Sequence, residues 1–252
     1  MNIRILAITH KKYWLPADDI YMPLQVGNKI NQLGFRRDDS GDNIAAKNAN
    51  FCELTGMYWA WKNLDCDYIG VCHYRRYFAS KSCHYSVKRK KELILTRRDY
   101  EKLLTGFDVI LPQKRHYYIE TVYSQYAHAH NGKDLELAKE IMAEKYPDYM
   151  DAFNTVMSKR SLHLYNMFVM KKPLFDEYCS WLFDILFAME ERIDITSYSE
   201  YEARVFGFIS ERLFNVWLLK NNLNSVEVPV VFLENEHWGR KIYRFLRRKF
   251  KS

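Results

Sequence analysis

At 252 residues the chain is long enough for one α/β domain with elaborations, and with 48% hydrophobic residues it can bury a full core. The net charge is +7, and Arg240, Lys241, Arg244, Arg247, Arg248, Lys249 and Lys251 account for all of it, so the body is balanced, which argues against a nucleic-acid-binding domain with a basic stripe on its folded face. No run approaches the ~18 consecutive apolar residues of a membrane span, and Met1 to Ile8 lacks the charged start and long apolar stretch of a signal peptide.

Ile3 to Ile8 reads as a first strand, followed by Thr9-His10-Lys11-Lys12. A first strand ending in polar residues is where α/β folds place a nucleotide, and His10 could contact a base or phosphate there, or be a solvated loop histidine. Residues 13–39 read as loop, with one short extended piece at Tyr21 to Gly27. Ile44, Phe51, Leu54, Tyr58 and Trp61 recur at helical spacing, which predicts one helix opened by Asp42 or Asn43 as N-cap. Tyr68 to Cys72 is a short apolar run of the kind buried on both faces of a sheet. It leads into His73, Tyr74, Arg75, Arg76, Tyr77 and Phe78. Guanidiniums at the carboxyl end of a buried strand make an anion site, unless they pair with acidic side chains of the fold.

Lys81 to Arg98 is rich in positive charge and reads as an exposed, mobile insertion, with a flap over an anionic ligand as the alternative. Thr96 can cap a short helix reaching Leu104, and Phe107 to Leu111 is a strand stopped by Pro112. Gln113 to Gly132 is polar and aromatic, with Tyr117, Tyr118, Tyr123, Tyr126, His128 and His130, and suits a loop or short helix whose rings stack on sugars. Helices follow over 134–146, 149–157 and 174–192, the last packed through Phe175, Tyr178, Trp181, Leu182, Ile185 and Leu186. Between them Leu162 to Met170 reads as a strand containing Asn166, a polar residue either hydrogen-bonded in the core or facing a ligand. A helix over 201–220 buries Phe208, Leu213 (or Arg212), Val216 and Leu219 and carries Glu211-Arg212, which could be an internal ion pair or part of i,i+4 pairs. Val226 to Phe232 is a last strand.

The five cysteines, Cys52, Cys66, Cys72, Cys83 and Cys179, form no C-x-x-C pair and fit no standard zinc spacing, so free thiols and a reducing compartment are expected. On a helical wheel Trp238, Ile242, Phe245, Leu246 and Phe250 of the tail share one face. Arg240, Arg244, Arg247, Arg248 and Lys251 lie opposite. That pattern predicts a basic amphipathic helix on an anionic membrane surface, with docking on its own domain or disorder as the alternatives. The expected division is a domain over 1–236 and a membrane-associating tail over 237–252.

The segment K-N-x3-C-E-L-T-x2-Y-W-x-W-K-N followed by D-Y-I-G-V-C-H-Y-R-R-Y-F resembles a bacterial family known as domain of unknown function 4422. The first strand with T-H-K, Y-x-P-L-Q-V-G, Y-S-Q-Y-x-H-x-H, N-M-F-V-M-K-K and S-E-R-L-F-N-V-W-L extend the resemblance over about residues 3 to 236. Its members occur in capsule, exopolysaccharide and O-antigen synthesis and look like glycosyltransferases. The resemblance implies a GT-A-like α/β domain, a Rossmann-like mixed sheet flanked by helices. It also implies transfer of a sugar, often galactose in pyranose or furanose form, from a UDP donor to a lipid-linked glycan, on the inner face of the plasma membrane. Many GT-A enzymes hold a divalent ion with Asp-x-Asp after the central strand; here that position is His73 to Arg76, and Asp65-Cys66-Asp67 precedes the strand instead. The expectation is therefore a metal-free site without cofactor. Arg75 and Arg76 would bind the diphosphate, His73 would donate to it or to the sugar, and His10, Asp42 and Lys47 would face the nucleotide. Glu211, or else His130, would be the general base, and Tyr123, Tyr126, His128 and Asn166 would meet the acceptor. The competing class is a non-catalytic nucleotide- or glycan-binding module of a membrane-associated assembly complex.

Overall fold

The structure is a computed structural model and describes residues 1–27 and 32–234. Strands β1 (Ile3–Thr9), β2 (Tyr21–Gln25) and β3 (Arg36–Arg37) precede the short helix α1 (Asn48–Phe51) and helix α2 (Leu54–Asn63). The chain continues through β4 (Tyr68–His73), β5 (Arg76–Phe78), α3 (Val87–Glu92), α4 (Arg97–Leu104), β6 (Val109–Pro112) and β7 (Arg115–His116). Next come α5 (Val122–Ala129), α6 (Gly132–Lys145), α7 (Met150–Ser158), β8 (Ser161–Leu162) and β9 (Phe168–Lys171). Helices α8 (Lys172–Arg192) and α9 (Val205–Asn221) and strands β10 (Ser225–Val228) and β11 (Val230–Phe232) complete the described chain.

The main sheet runs β10-β6-β9-β4-β1-β2-β3. Along that order the strands are parallel except β9, which is antiparallel to both β4 and β6, and the sheet also takes in β5, antiparallel to β4, and β11, antiparallel to β5. Side chains alternate across it, as extended backbone requires. Leu6, Ile8, Ile69, Val71, Phe168 and Met170 face the large core built with α2 and α5 to α9. Ile3, Ile5, Ala7, Cys72 and Val169 face a second core with α4, β5 and β11. This is an α/β fold in one domain, with a mixed central sheet covered on both faces, and it explains why β1 and β4 read as unbroken apolar runs. Both strands end on the same side, so Thr9 and His73 mark one rim of the sheet.

Helix α8 buries all six residues expected of it, and α6 buries Leu135, Ala138, Ile141 and Met142. Thr96 and Asp99 form the capping box of α4.

Several expectations need correction. The helix over 42–61 is broken. Cys52 has φ 52°, so a turn separates α1 from α2, and Asp42 caps neither. Within residues 13–39 the expected extended piece at Tyr21 to Gly27 forms β2, and the rest, read as loop, also contributes β3 to the sheet. The basic 81–98 segment carries α3, whose Lys90 is buried with Nζ donating to the Phe232 carbonyl at 2.8 Å, and Lys91 lies over Trp14. Leu162 to Met170 is two strands, because Tyr165 and Asn166 turn the chain with φ 77° and 49°. The last strand splits at Pro229 into β10 and β11, since proline offers no ladder donor. On α9, Leu213 and Val216 are buried, whereas Phe208 is half-buried and Leu219 is exposed.

Candidate active site

At the rim formed by β1 and β4, the chain reverses in the two-residue turn Tyr74-Arg75, so that His73 pairs with Arg76 across the hairpin. Tyr74 is fully buried and acts as the peg, with the His73 ring 4.3 Å and the His10 ring 5.4 Å from its own. That anchoring leaves the two guanidiniums at the edge of a cavity of about 380 Å³. Arg75 is half-buried and pairs with Glu234 at 2.6 Å. Arg76 lies over the rings of Tyr165 and Phe232.

The same cavity is lined by Arg115 from β7, by Arg204 just before α9 and by Arg212 on α9. Five guanidiniums therefore face two carboxylates, Glu53 and Glu211. Arg212 is held firmly: its guanidinium donates to the Phe208 carbonyl at 3.0 Å, to Glu211 at 3.0 Å and to Gln125 Oε1 at 2.9 Å. Glu211 also accepts the Tyr165 backbone N–H at 2.7 Å. Burial pushes the Glu211 carboxyl up from its ordinary range, and Arg212 opposes that rise. Burial, followed by the charges of Arg76 and Arg75, pushes His73 down to about 2, so its imidazole is neutral and carries one N–H donor. Among the described residues, His73 Nδ1, Arg76 Nε and Arg212 Nε are buried without a hydrogen-bond partner. The five arginines that line the cavity suit a ligand rich in acceptor oxygens.

The opposite wall is aromatic. His130, the residue that ends α5, stacks on Phe208 at 4.0 Å and on Tyr201 at 5.7 Å.

Of the residues expected from sequence, the fold brings His73, Arg75, Arg76, His130 and Glu211 to this cavity, with His10 adjoining His73 at 6.4 Å between rings. It does not bring the others. Asp42 is exposed and accepts from Tyr58, while its own backbone N–H donates to Asn63, at the far end of α2. Lys47 pairs with Glu190 at the end of α8. Tyr123 is exposed, and His128 is exposed and bonded to Glu120 at 2.6 Å. Tyr126 is buried under Arg212. Asn166 is buried behind Glu53 and donates to it at 2.8 Å, so of the two roles open to a polar residue there it takes the hydrogen-bonded one. The sequence reading missed Glu53, Arg115, Arg204 and Tyr201. Glu53 lay inside a helix read as continuous, and the arginines come from the short strand β7 and from the turn just before α9, whose approach only the tertiary fold reveals.

Among the described residues no three His, Cys, Asp or Glu side chains cluster in a way that could hold a metal ion, and Arg75 and Arg76 stand just past the end of β4. Asp67 lies at the opposite end of β4, where it accepts the Asn2 backbone N–H at 2.7 Å.

Residues 4–222 match the family described as domain of unknown function DUF4422. The chain belongs to that family. A solved structure, described as the apo form of the bifunctional glycosyltransferase WbbM, is similar to 94% of this chain with 32% sequence identity and a TM-score of 0.86. The chain covers 46% of that protein, about half its length. No curated protein matches. A DUF4422 chain with this likeness to a glycosyltransferase has a transferase fold. No helix among the described residues is long and apolar enough to cross a membrane. Trp238, Ile242, Phe245, Leu246 and the basic residues Arg240, Arg244, Arg247 and Arg248 lie outside the described residues.

Proposed function

We propose that this chain transfers a hexose, galactose in pyranose or furanose form, from a UDP-sugar to a lipid-linked glycan in bacterial surface polysaccharide synthesis, on the cytoplasmic face of the membrane. The observation that carries this reading is the concentration of Arg75, Arg76, Arg115, Arg204 and Arg212 in one cavity at the carboxyl ends of β1 and β4. A diphosphate on Arg75 and Arg76 is met by charge-assisted hydrogen bonds. The neutral His73 donates one more. As the bond from the sugar to the β-phosphate breaks, the electron pair goes to the phosphate oxygen, and fixed guanidiniums stabilise the charge that develops there. They supply the role that a divalent ion has in other transferases. Glu211 accepts the proton of the attacking hydroxyl, a role favoured by a carboxyl that burial holds above its ordinary range.

Calorimetry tests the donor half. UDP should bind, and Arg75→Ala with Arg76→Ala should weaken it at least ~10-fold, the scale of a charged hydrogen bond. Turnover should survive EDTA; activity that vanishes with EDTA and returns with Mn²⁺ contradicts the metal-free clamp. Glu211→Gln should lose transfer by ~100-fold or more while still binding UDP. If turnover survives, Glu211 is structural.

A further inference from the structure

The two cavity carboxylates are unlike in their surroundings. Glu211 is ion-paired with Arg212. Glu53 makes no ion pair among the described residues, although five guanidiniums line the same cavity. Its side chain is instead held through Oε1 by the Asn166 amide at 2.8 Å. That amide is itself fixed. Its nitrogen also donates to the Gly207 carbonyl at 3.2 Å, and its oxygen accepts from the Ser210 hydroxyl at 3.0 Å.

Asn166 and its neighbour Tyr165 both have left-handed backbone, φ 49° and 77°. Asparagine tolerates that region, but a tyrosine there is an outlier held by its surroundings. The strained pair holds both acids at once: the Tyr165 N–H reaches Glu211 and the Asn166 amide reaches Glu53. Arg76 lies over the Tyr165 ring at 4.8 Å and feels the charges of both carboxylates. A diphosphate lying on Arg75 and Arg76 therefore places the sugar bonded to it beside Glu53 and Glu211.

We infer that the Tyr165–Asn166 turn aims Glu53 at a hydroxyl of the transferred sugar, making Glu53 the residue that selects the donor's sugar. The inference rests on the UDP-sugar reading above. One carboxylate oxygen of Glu53 is occupied by the amide and the other accepts the hydroxyl. A fixed charged acceptor of this kind rejects a sugar that lacks the matching hydroxyl, because the carboxylate is then left unsatisfied.

The test compares UDP with UDP-galactose and its 2-, 3-, 4- and 6-deoxy analogues by calorimetry, on the full chain and on Glu53→Gln. In Glu53→Gln the ratio of the UDP-galactose Kd to the UDP Kd should rise at least ~10-fold. One deoxy analogue should be weakened in the parent chain and lose that penalty in the variant. Asn166→Gly keeps the left-handed backbone and removes the amide. It should shift the same ratio in the same direction without lowering the melting temperature by more than a few degrees. Should that variant unfold, Ser210→Ala, which releases the amide oxygen, should shift the ratio in the same direction by less. Equal weakening of UDP and UDP-galactose by Glu53→Gln places Glu53 on the nucleotide and overturns the inference, as does an unchanged ratio. A parent chain that binds neither UDP nor UDP-galactose overturns the UDP reading itself, and the inference with it.

Discussion

His73 stands where β4 ends, beneath two guanidiniums, and its chemistry follows from that placement. An unfolded histidine takes a proton near pH 6.5. In the folded chain burial and the neighbouring arginines hold the imidazole neutral down to about 2. The unfolded state therefore binds more protons throughout that window, so stability falls as pH drops below about 6.5, by about 1.4 kcal/mol per pH unit for this group. Denaturant melts of the parent chain and of His73→Asn between pH 4.5 and 8 should diverge on the acid side, with the flatter curve belonging to the variant. Parallel curves would mean that His73 titrates normally and is not the neutral donor described above. The residue type and its place at a strand end were legible in the sequence. Its neutrality was not, because its first cause is burial, which only the tertiary fold sets, with the charges of Arg76 and Arg75 adding to it.

Among the elements, β4 shows what periodicity reveals and what it hides. Its apolar run and the polar cluster after it announced a central strand with a site at its carboxyl end. The glycine within it reads as neutral in the sequence, yet it lets three strands approach. A Cβ on Gly70 would lie 2.5 Å from Ile5 Cδ1 and 2.8 Å from Val169 Cγ2, between β1 and β9. Gly70→Ala should therefore cost about 1–3 kcal/mol, the range for overpacking, and Ile5→Val should recover part of it in the double variant. Thermal melts of the three variants check this; additive losses would show that the clash is not shared with Ile5. Helices α6 and α8 were legible because their apolar stripes span many turns. The α1–α2 break was not. Cys52 is an unremarkable residue inside a helical pattern, and its left-handed backbone is supported from outside the pattern. Asn48 donates to the Cys52 carbonyl at 2.7 Å, and Arg204 donates to the sulfur at 3.2 Å. That break turns Glu53 toward the cavity, so the feature missed at this scale is also the one that completes the site.

For the molecule as a whole, charge is divided between two jobs. The domain is balanced in sum, but it gathers Arg75, Arg76, Arg115, Arg204 and Arg212 from four places in the chain into one cavity, a concentration that net charge conceals. The excess of seven lies beyond Trp238. We propose that these basic residues serve an anionic membrane surface: at about 1 kcal/mol per basic residue near such a surface, five or six of them would give useful, salt-sensitive attachment. Because the attraction is electrostatic, it should decline as the Debye length shrinks from about 10 Å at 0.1 M salt to about 3 Å at 1 M. In flotation with vesicles containing anionic lipid, the full chain should rise with the vesicles at low salt and be released at 1 M. A chain cut after Glu236 should stay at the bottom in both. Neutral vesicles should carry neither. The cut chain should also bind UDP as the full chain does, since the proposed donor residues all precede the cut. Equal flotation of the two chains would move the membrane contact into the domain and leave the basic tail without this role.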